Sequence, residues 1–338
     1  MTAVRAESAV TFTVDPWDPG YGLAASEDLD TGALAESNAE LDLDLELPAA
    51  SWRAIGPDPA GAVPARIAFL DGVRRIDARV WVHGGAPQPA PAIAASFAAG
   101  LVCCEGGAAR IADVDVERGL FTAAAGAAGI AASHAYYPAI PADGPALDQL
   151  SLALQQQLTD AEVRLAMRYR AAAADGDDLL VVDGPLRGRT HLERTVGYVK
   201  THHVAYLPAE QAAVVAGLRP GQRSPAFTIG TSWRRHSWYL ALPGTAGVPW
   251  SGVVRLECAP DLAAHDVIGL ADLTGLVIPR LASSPHKDPR APQNLVPIGG
   301  LERELRHRLG DQRLLYRALR SAAGAGQQRS PAAVGSIG

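Results

Sequence analysis

Two apolar runs, far apart in the chain, each lead directly into an Asp-Gly pair. Residues 66–70 (RIAFL) are followed by Asp71-Gly72, and residues 178–182 (DLLVV) are followed by Asp183-Gly184. We expect each run to be a buried strand that ends at its aspartate, where the glycine allows a sharp turn or a close approach to a ligand. Two carboxylates from one sheet could share a divalent cation, which would favour phosphoryl-transfer chemistry. The alternative is that Asp-Gly is ordinary turn chemistry at two strand ends.

A long amphipathic helix is predicted between the two runs, over residues 147–174. Its leucines recur at spacings of three and four residues, which gives the helix one apolar face. Glu162 lies at the border of that face, a position from which a carboxylate could lean toward a sheet edge and join Asp71 and Asp183. An ordinary half-exposed glutamate is the alternative.

The other apolar patterns complete the prediction of an α/β fold. Residues 74–82 are expected to return as an antiparallel partner of 66–70, and residues 93–104 and 111–121 to continue the meander. An alternating segment predicts a strand with one wet face over residues 41–47. Further strands are expected at 226–230, 237–242 and 252–258, and further helices at 208–218, 301–309 and 311–322.

Composition restricts the class of protein. No apolar stretch has the length needed to span a bilayer and no signal peptide is evident, so we expect a cytoplasmic protein. Three cysteines, two of them adjacent, match neither a disulfide framework nor a zinc site, and they are expected to be reduced. The sequence has no Walker lysine loop, no Gly-x-Ser-x-Gly and no Gly-x-Gly-x-x-Gly, which argues against nucleotide motors, esterases and dinucleotide enzymes.

Charge is distributed unevenly along the chain. Residues 1–50 carry 11 acids and one base, whereas residues 183–338 carry 19 bases and 11 acids. Basic surface is therefore available for a phosphate backbone despite the net charge of −6. We divide the chain into an acidic segment that is partly loop (1–50), a main domain (51–322) and a disordered tail (323–338).

The order of these elements resembles the NurA nucleases. The motifs that carry the resemblance are Phe69-Leu70-Asp71-Gly72 and the segment 180–186 (LVVDGPL), with Gly197-Tyr198-Val199-Lys200 in support, within residues 65–320. The resemblance implies an RNase H-like mixed sheet flanked by helices, with additional strands and C-terminal helices. It also implies a homodimeric DNA nuclease that uses Mn²⁺ or Mg²⁺ and processes DNA ends, in repair or defence, with a HerA-like hexameric ATPase.

Site residues follow from the same resemblance. Asp71, Glu162 and Asp183 would bind the metal ions. The family takes a last ligand from a proline-rich C-terminal motif, here residues 286–295, where no histidine closely follows Pro292. Asp288 or His286 would fill that role, and Asn294 is a weaker candidate. If none does, the chain is a catalytically impaired NurA-like subunit that docks on a motor ATPase or on DNA.

Basic and aromatic residues near these motifs are candidates for phosphate and base contacts. Lys200 would neutralise the scissile phosphate, and four arginines would contact DNA: Arg187, Arg189, Arg234 and Arg235. The neighbouring pair His202-His203 could donate protons, and aromatic residues at positions 233, 238 and 239 could stack unpaired bases. Ordinary surface charge and aromatic core packing are the alternatives for these residues.

Overall fold

A central sheet of eleven strands organises the chain in the computed structural model, which describes residues 11–16, 35–58, 60–84, 88–173, 176–202, 204–243 and 250–328. The strands, in chain order, are β1 Thr11–Val14, β2 Ala35–Glu36, β3 Glu40–Asp42, β4 Arg66–His83, β5 Ala90–Glu105, β6 Ala108–Thr122, β7 Ile130–Ala132, β8 Ala135–Tyr137, β9 Ala139–Pro141, β10 Asp178–Asp183, β11 Thr195–Val199, β12 Val204–Ala205, β13 Phe227–Gly230, β14 Arg234–Ala241 and β15 Val253–Cys258. The helices are α1 Leu147–Ala172, α2 Ala209–Ala216, α3 Ala264–Val277, α4 Val296–Arg308 and α5 Gln312–Gln328, with 3₁₀ turns at Ala49–Ser51 and Ile278–Leu281.

The sheet mixes antiparallel and parallel pairing around β4. Strands β4, β5 and β6 form an antiparallel meander, while β10 lies parallel to β4 on its other side and β11 lies parallel to β10. The full order is β3-β13-β14-β15-β11-β10-β4-β5-β6-β9, and β1 pairs with β4 outside this path. This confirms the predicted α/β class: a large mixed sheet is flanked by helices, with additional strands and C-terminal helices.

Alternating side chains in the central strands pack against different helices. In β4, Ala68 and Leu70 join the core that contains α1, whereas Ile67 and Phe69 join the core on the opposite face, which contains α3 and α4. Strand β10 alternates in the same way, because successive side chains in a strand point to opposite faces. The odd-numbered residues of β4 and β10 point to the face that α4 covers, and Asp71 and Asp183 are the next odd-numbered residues in these strands.

The first corrected prediction concerns β4. We expected a strand to end at Asp71-Gly72 and to return at residue 74, but β4 is one strand of 18 residues that runs through both positions. Asp71 and Gly72 pair in register with Gly100 and Ala99 of β5, so no turn forms there. The irregularity comes later, as a bulge at Asp77, whose buried carboxylate accepts hydrogen bonds from the Arg75 guanidinium at 2.8 Å and from Tyr137 OH at 3.0 Å.

The predicted strand over residues 41–47 is also corrected, since the strand in this region covers only Glu40–Asp42. Its acidic side chains are used locally instead. Asp42 and Asp44 accept backbone N–H hydrogen bonds from Asp44 at 3.1 Å and Ala49 at 2.7 Å, and Glu46 forms an ion pair with the buried Arg223 at 2.8 Å. Short polar side chains that bond to nearby backbone compete with the ladder of a strand.

The predicted terminal segments lie partly outside the residues that the structure describes. Residues 1–10 and 17–34 of the predicted acidic segment, and residues 329–338 of the predicted disordered tail, lie outside the described residues. Helix α5 continues to Gln328, six residues past the domain end predicted at 322. Among the helices described, none has both the length and the apolar character needed to cross a bilayer.

Candidate metal centre

Three carboxylates meet at the centre of the α4 face of the sheet. One oxygen from each of Asp71, Asp183 and Glu302 lies within 4.8 Å of the others. The register of the parallel pair explains the first two, because Val182 is aligned with Leu70 and the next residue of each strand is an aspartate. The predicted convergence of these two distant acids is thus present in the structure.

Glu302 reaches the aspartates from α4. Three apolar residues of this helix pack on the sheet: Ile298, Leu301 and Leu305. Glu302 lies four residues after Ile298, within their stripe. It is only 6% exposed. Sequence reasoning missed this residue. The available signal was a glutamate at a position that the helical period assigns to the buried face.

A glycine in β5 allows α4 to lie close to the sheet beside Asp71. A β-carbon at Gly100, the cross-strand partner of Asp71, would lie 2.6 Å from Leu305 Cδ2 and 2.8 Å from Leu301 Cδ1. The C-terminal end of α4 is also held, because Arg75 donates hydrogen bonds to the Gly310 carbonyl at 2.8 Å and the Leu309 carbonyl at 3.4 Å. These contacts fix the depth at which Glu302 reaches the cluster.

Gly100→Ala is therefore expected to destabilise the protein by about 1–3 kcal/mol, because the added methyl overpacks a filled core. Denaturant unfolding measures the change. Gly269→Ala is the matched control, since this exposed glycine of α3 has no atom within 4 Å of the added carbon and alanine is the better helix former. Equal stability of the two variants would show that α4 does not depend on the close approach at Gly100.

Burial makes the cluster electrostatically unusual. The pKa of Asp71 is raised well above its usual range, first by burial and then by the neighbouring Asp183 charge. Burial also raises the pKa of Asp183, against the opposing effect of Lys200. Although burial disfavours its charge too, Glu302 has a lowered pKa because Arg290 donates hydrogen bonds to its two oxygens at 2.8 and 2.6 Å.

One oxygen of the cluster has no partner. Asp71 Oδ1 accepts the Gly72 N–H at 2.7 Å, but Asp71 Oδ2 is buried without a hydrogen bond among the described residues. A buried carboxylate oxygen without a partner is costly and calls for an explanation, such as a bound ion. An all-oxygen donor set of this kind suits hard cations, Mg²⁺ and Mn²⁺ among them.

The structure does not bring the other three predicted metal ligands into this cluster. Glu162 is on the α1 side of the sheet, against the backbone of Gly72, and forms a close ion pair with the buried Arg189. Burial nevertheless raises the pKa of Glu162 to about 7. The predicted trio is therefore corrected in its third member: Glu302, and not Glu162, completes the convergence on the α4 face.

Asp288 and His286 lie in the loop before α4. Asp288 accepts hydrogen bonds from Asn294 at 2.6 Å and from the backbone N–H of Arg290 at 2.8 Å, and these contacts lower its pKa to about 2. His286 is exposed and 3.4 Å from the Ser284 hydroxyl. Asp288 contacts the cluster only indirectly, through Arg290 and Asn294.

The predicted basic residues differ in burial: some are exposed and others are buried in ion pairs. Lys200 is 2.6 Å from Asp183 and donates a hydrogen bond to Asn294 at 2.9 Å, so it lies beside the carboxylates. Arg187 and Arg234 are exposed. Arg189 and Arg235 are 3% exposed and form ion pairs with Glu162 and Glu257, so the prediction that these two arginines contact DNA is corrected.

The predicted aromatic and histidine contacts are largely internal. Trp238 and Tyr239 are buried, while the half-buried Trp233 ring lies under the Arg235 guanidinium at 4.5 Å. His202 has a ring nitrogen 2.9 Å from the Val253 carbonyl oxygen. His203 lies outside the described residues.

Comparison with known proteins gives a likeness of fold. No protein-family model and no curated protein matches the sequence. The fold is similar to that of the NurA nuclease from Sulfolobus solfataricus, with a TM-score of 0.43, 9% sequence identity and coverage of 83% of this chain and 88% of that chain. It is also similar to the catalytic domain of human Endonuclease V, with a TM-score of 0.34, 14% identity and coverage of 73% and 84%. At these identities and TM-scores, neither likeness assigns a family or a function to this chain.

Proposed function

We propose that the protein is a DNA nuclease that hydrolyses phosphodiester bonds with Mn²⁺ or Mg²⁺. The observation that carries the proposal is the convergence of Asp71, Asp183 and Glu302, with ligand oxygens within 4.8 Å of one another and one buried oxygen without a partner. Divalent ions held by such carboxylates activate the attacking water and stabilise the leaving oxygen.

The side chains around the cluster suit a phosphate substrate. Lys200 and Arg290 each contact a cluster carboxylate, so their positive charges lie where a scissile phosphate would approach. Both can donate hydrogen bonds to phosphate oxygens, and the arginine can do so in bidentate fashion. The exposed Arg187 and Arg234 would contact the strand farther from the cluster.

Cleavage of labelled single-stranded and double-stranded DNA by the purified protein tests this function. We expect cleavage with Mn²⁺ or Mg²⁺, none with EDTA, and loss of cleavage in Asp183→Asn. Asp113→Asn is the matched control, because this exposed aspartate of β6 is not part of the cluster: it pairs with the exposed Arg168 at 3.0 Å and accepts the Val114 N–H at 2.9 Å. Cleavage that persists in EDTA, or in Asp183→Asn at the wild-type rate, would refute the assignment.

We infer a wider setting from the sequence resemblance to NurA nucleases. In that setting the protein is a homodimer that acts on DNA ends, in repair or defence, together with a HerA-like hexameric ATPase. The molecular mass in solution tests the dimer, and co-purification with an ATPase of that class tests the partnership.

A second candidate function has one observation in its favour. Two of the three cluster carboxylates already have basic partners, since Asp183 pairs with Lys200 and Glu302 with Arg290. Such compensation is also what a catalytically impaired subunit would have if its task were to dock on a motor ATPase or on DNA. Stable binding to the ATPase without metal-dependent cleavage by the complex would favour this second function.

A further inference from the structure

A cleft of about 540 Å³ opens beside the carboxylate cluster. Its lining residues are Lys200, Thr201, His202, Trp250, Arg290 and Gln293. Lys200 and Arg290 form its border with the cluster, because they are also the residues that contact Asp183 and Glu302. The volume falls within the range of about 300–1,000 Å³ typical of small-molecule sites.

An indole forms part of the wall of this cleft. The Trp250 ring is 5.4 Å from the Tyr239 ring and 5.6 Å from the His202 ring, with interplanar angles of 83° and 66°. Tyr239 is 2% exposed and stacks on Phe227 at 5.9 Å, so the indole rests on a rigid aromatic core. Neither described neighbour is parallel to Trp250, so neither stacks on the indole.

The backbone at Trp250 is held in a conformation that large side chains rarely adopt. Its φ angle is 64°, and its carbonyl accepts the Val253 N–H at 3.1 Å. A left-handed backbone at a residue other than glycine costs of order 1–3 kcal/mol, and such residues concentrate at ligand-binding and active sites. The strain therefore supports a functional reason for the indole at the cleft.

We propose that this cleft binds one unpaired nucleotide of a DNA strand, with its base stacked on Trp250 and its phosphate between Lys200 and Arg290. The proposal rests on the nuclease function and specifies its substrate, because the faces of a base inside a duplex are covered by the neighbouring base pairs, whereas an unpaired base can turn one face to the indole. The lining combines two cations with an aromatic ring, which match the charged and apolar parts of a nucleotide.

Fluorescence anisotropy with a short labelled oligonucleotide, in Ca²⁺ to limit cleavage, tests the proposal on the full chain. Trp250→Ala is expected to weaken single-strand binding by roughly 5- to 150-fold, the effect of losing one stacked base, and to leave blunt-duplex binding unchanged. Trp250→Phe should retain most of the affinity. Trp81→Ala, which removes an indole 43% exposed at the far end of β4, should bind as wild type does.

An oligonucleotide with abasic sites removes the stacking base from the ligand, as Trp250→Ala removes the indole from the protein. Wild type should lose affinity for it, and Trp250→Ala should lose little more. Wild-type affinity of Trp250→Ala for the single strand, an equal loss on duplex, or no single-strand binding by wild type would each overturn the proposal. Metal-dependent cleavage in wild type would stand after any of these results, so the failure of the nucleotide site and the failure of the nuclease function are distinguishable.

Discussion

Replacing Asp71 with asparagine is expected to reduce metal-dependent DNA cleavage by about 10³-fold or more while leaving the fold intact. The central carboxylate would no longer hold the divalent ion, whose contribution to transition-state stabilisation is several kcal/mol. Asparagine preserves the shape of the side chain in a site where Asp71 is 8% exposed. Initial rates at saturating Mn²⁺ measure the loss.

The same substitution should stabilise the metal-free protein, and the gain should grow with pH. Burial and the Asp183 charge raise the pKa of Asp71 in the folded state, whereas in the unfolded chain it titrates near its usual value of about 4. The folded wild type therefore loses stability as pH rises from about 4 through the raised pKa, because the folded state binds more protons than the unfolded state. Asparagine does not ionise and removes this loss.

Thermal unfolding with and without Mn²⁺ separates the two effects. At an ion concentration 100 times the dissociation constant, the wild type should gain about 3 kcal/mol, with a rise of about 1–2 °C in melting temperature for each kcal/mol in a chain of this length. Asp71→Asn should gain almost nothing, whereas Asp113→Asn should respond as the wild type does. A wild-type response to Mn²⁺ in Asp71→Asn would exclude this carboxylate as a ligand.

Glu302→Gln is the second large expected effect, and it tests the residue that α4 contributes. Substitutions in the shell around a metal ligand lower affinity about 10–100-fold, so loss of the ligand itself should cost at least about 100-fold. Cleavage rate as a function of Mn²⁺ concentration measures this loss. The cost in stability should be modest, about 1 kcal/mol, because the Arg290 side chain is 48% exposed and can be hydrated when its partner is lost.

Two matched variants serve as controls for Glu302→Gln. Glu304→Gln changes a half-buried glutamate on the same helix, whose partner is Arg308 at 2.8 Å, and it should leave the Mn²⁺ dependence unchanged. Glu162→Gln changes the acid on the opposite face and should affect metal affinity less than Glu302→Gln. The reverse order of effects would restore Glu162 as the third ligand and remove Glu302 from the site.

The sequence predicted the acids of the strands because their positions follow from local rules. A buried strand pattern and side-chain alternation place Asp71 and Asp183 on one face once the two strands pair in the register that aligns Val182 with Leu70. The same rules failed at Asp71-Gly72, where we expected a turn. Glycine tolerates both a turn and a continuous strand, and here pairing with β5 kept the strand extended.

The third acid depended on which helix covers which face, and that is a property of the assembled sheet. Glu162 and Glu302 both lie at the apolar faces of amphipathic helices, so local pattern does not separate them. Glu302 is the third acid because the side chain of Asp71 points to the face of the sheet that α4 covers, and because Gly100 lets α4 lie close to that face. The burial of Arg189 and Arg235 likewise depends on ion pairs with glutamates that are distant in the sequence.

The dispersal of the three acids along the chain has a consequence for when the protein becomes active. Asp71 and Asp183 are synthesised well before Glu302, which lies on α4, and Arg75 holds the residues just after that helix. A nascent polypeptide, or one truncated before residue 302, would therefore have two of the three acids and lack Glu302. We expect the capacity to cut DNA to arise only in the finished molecule.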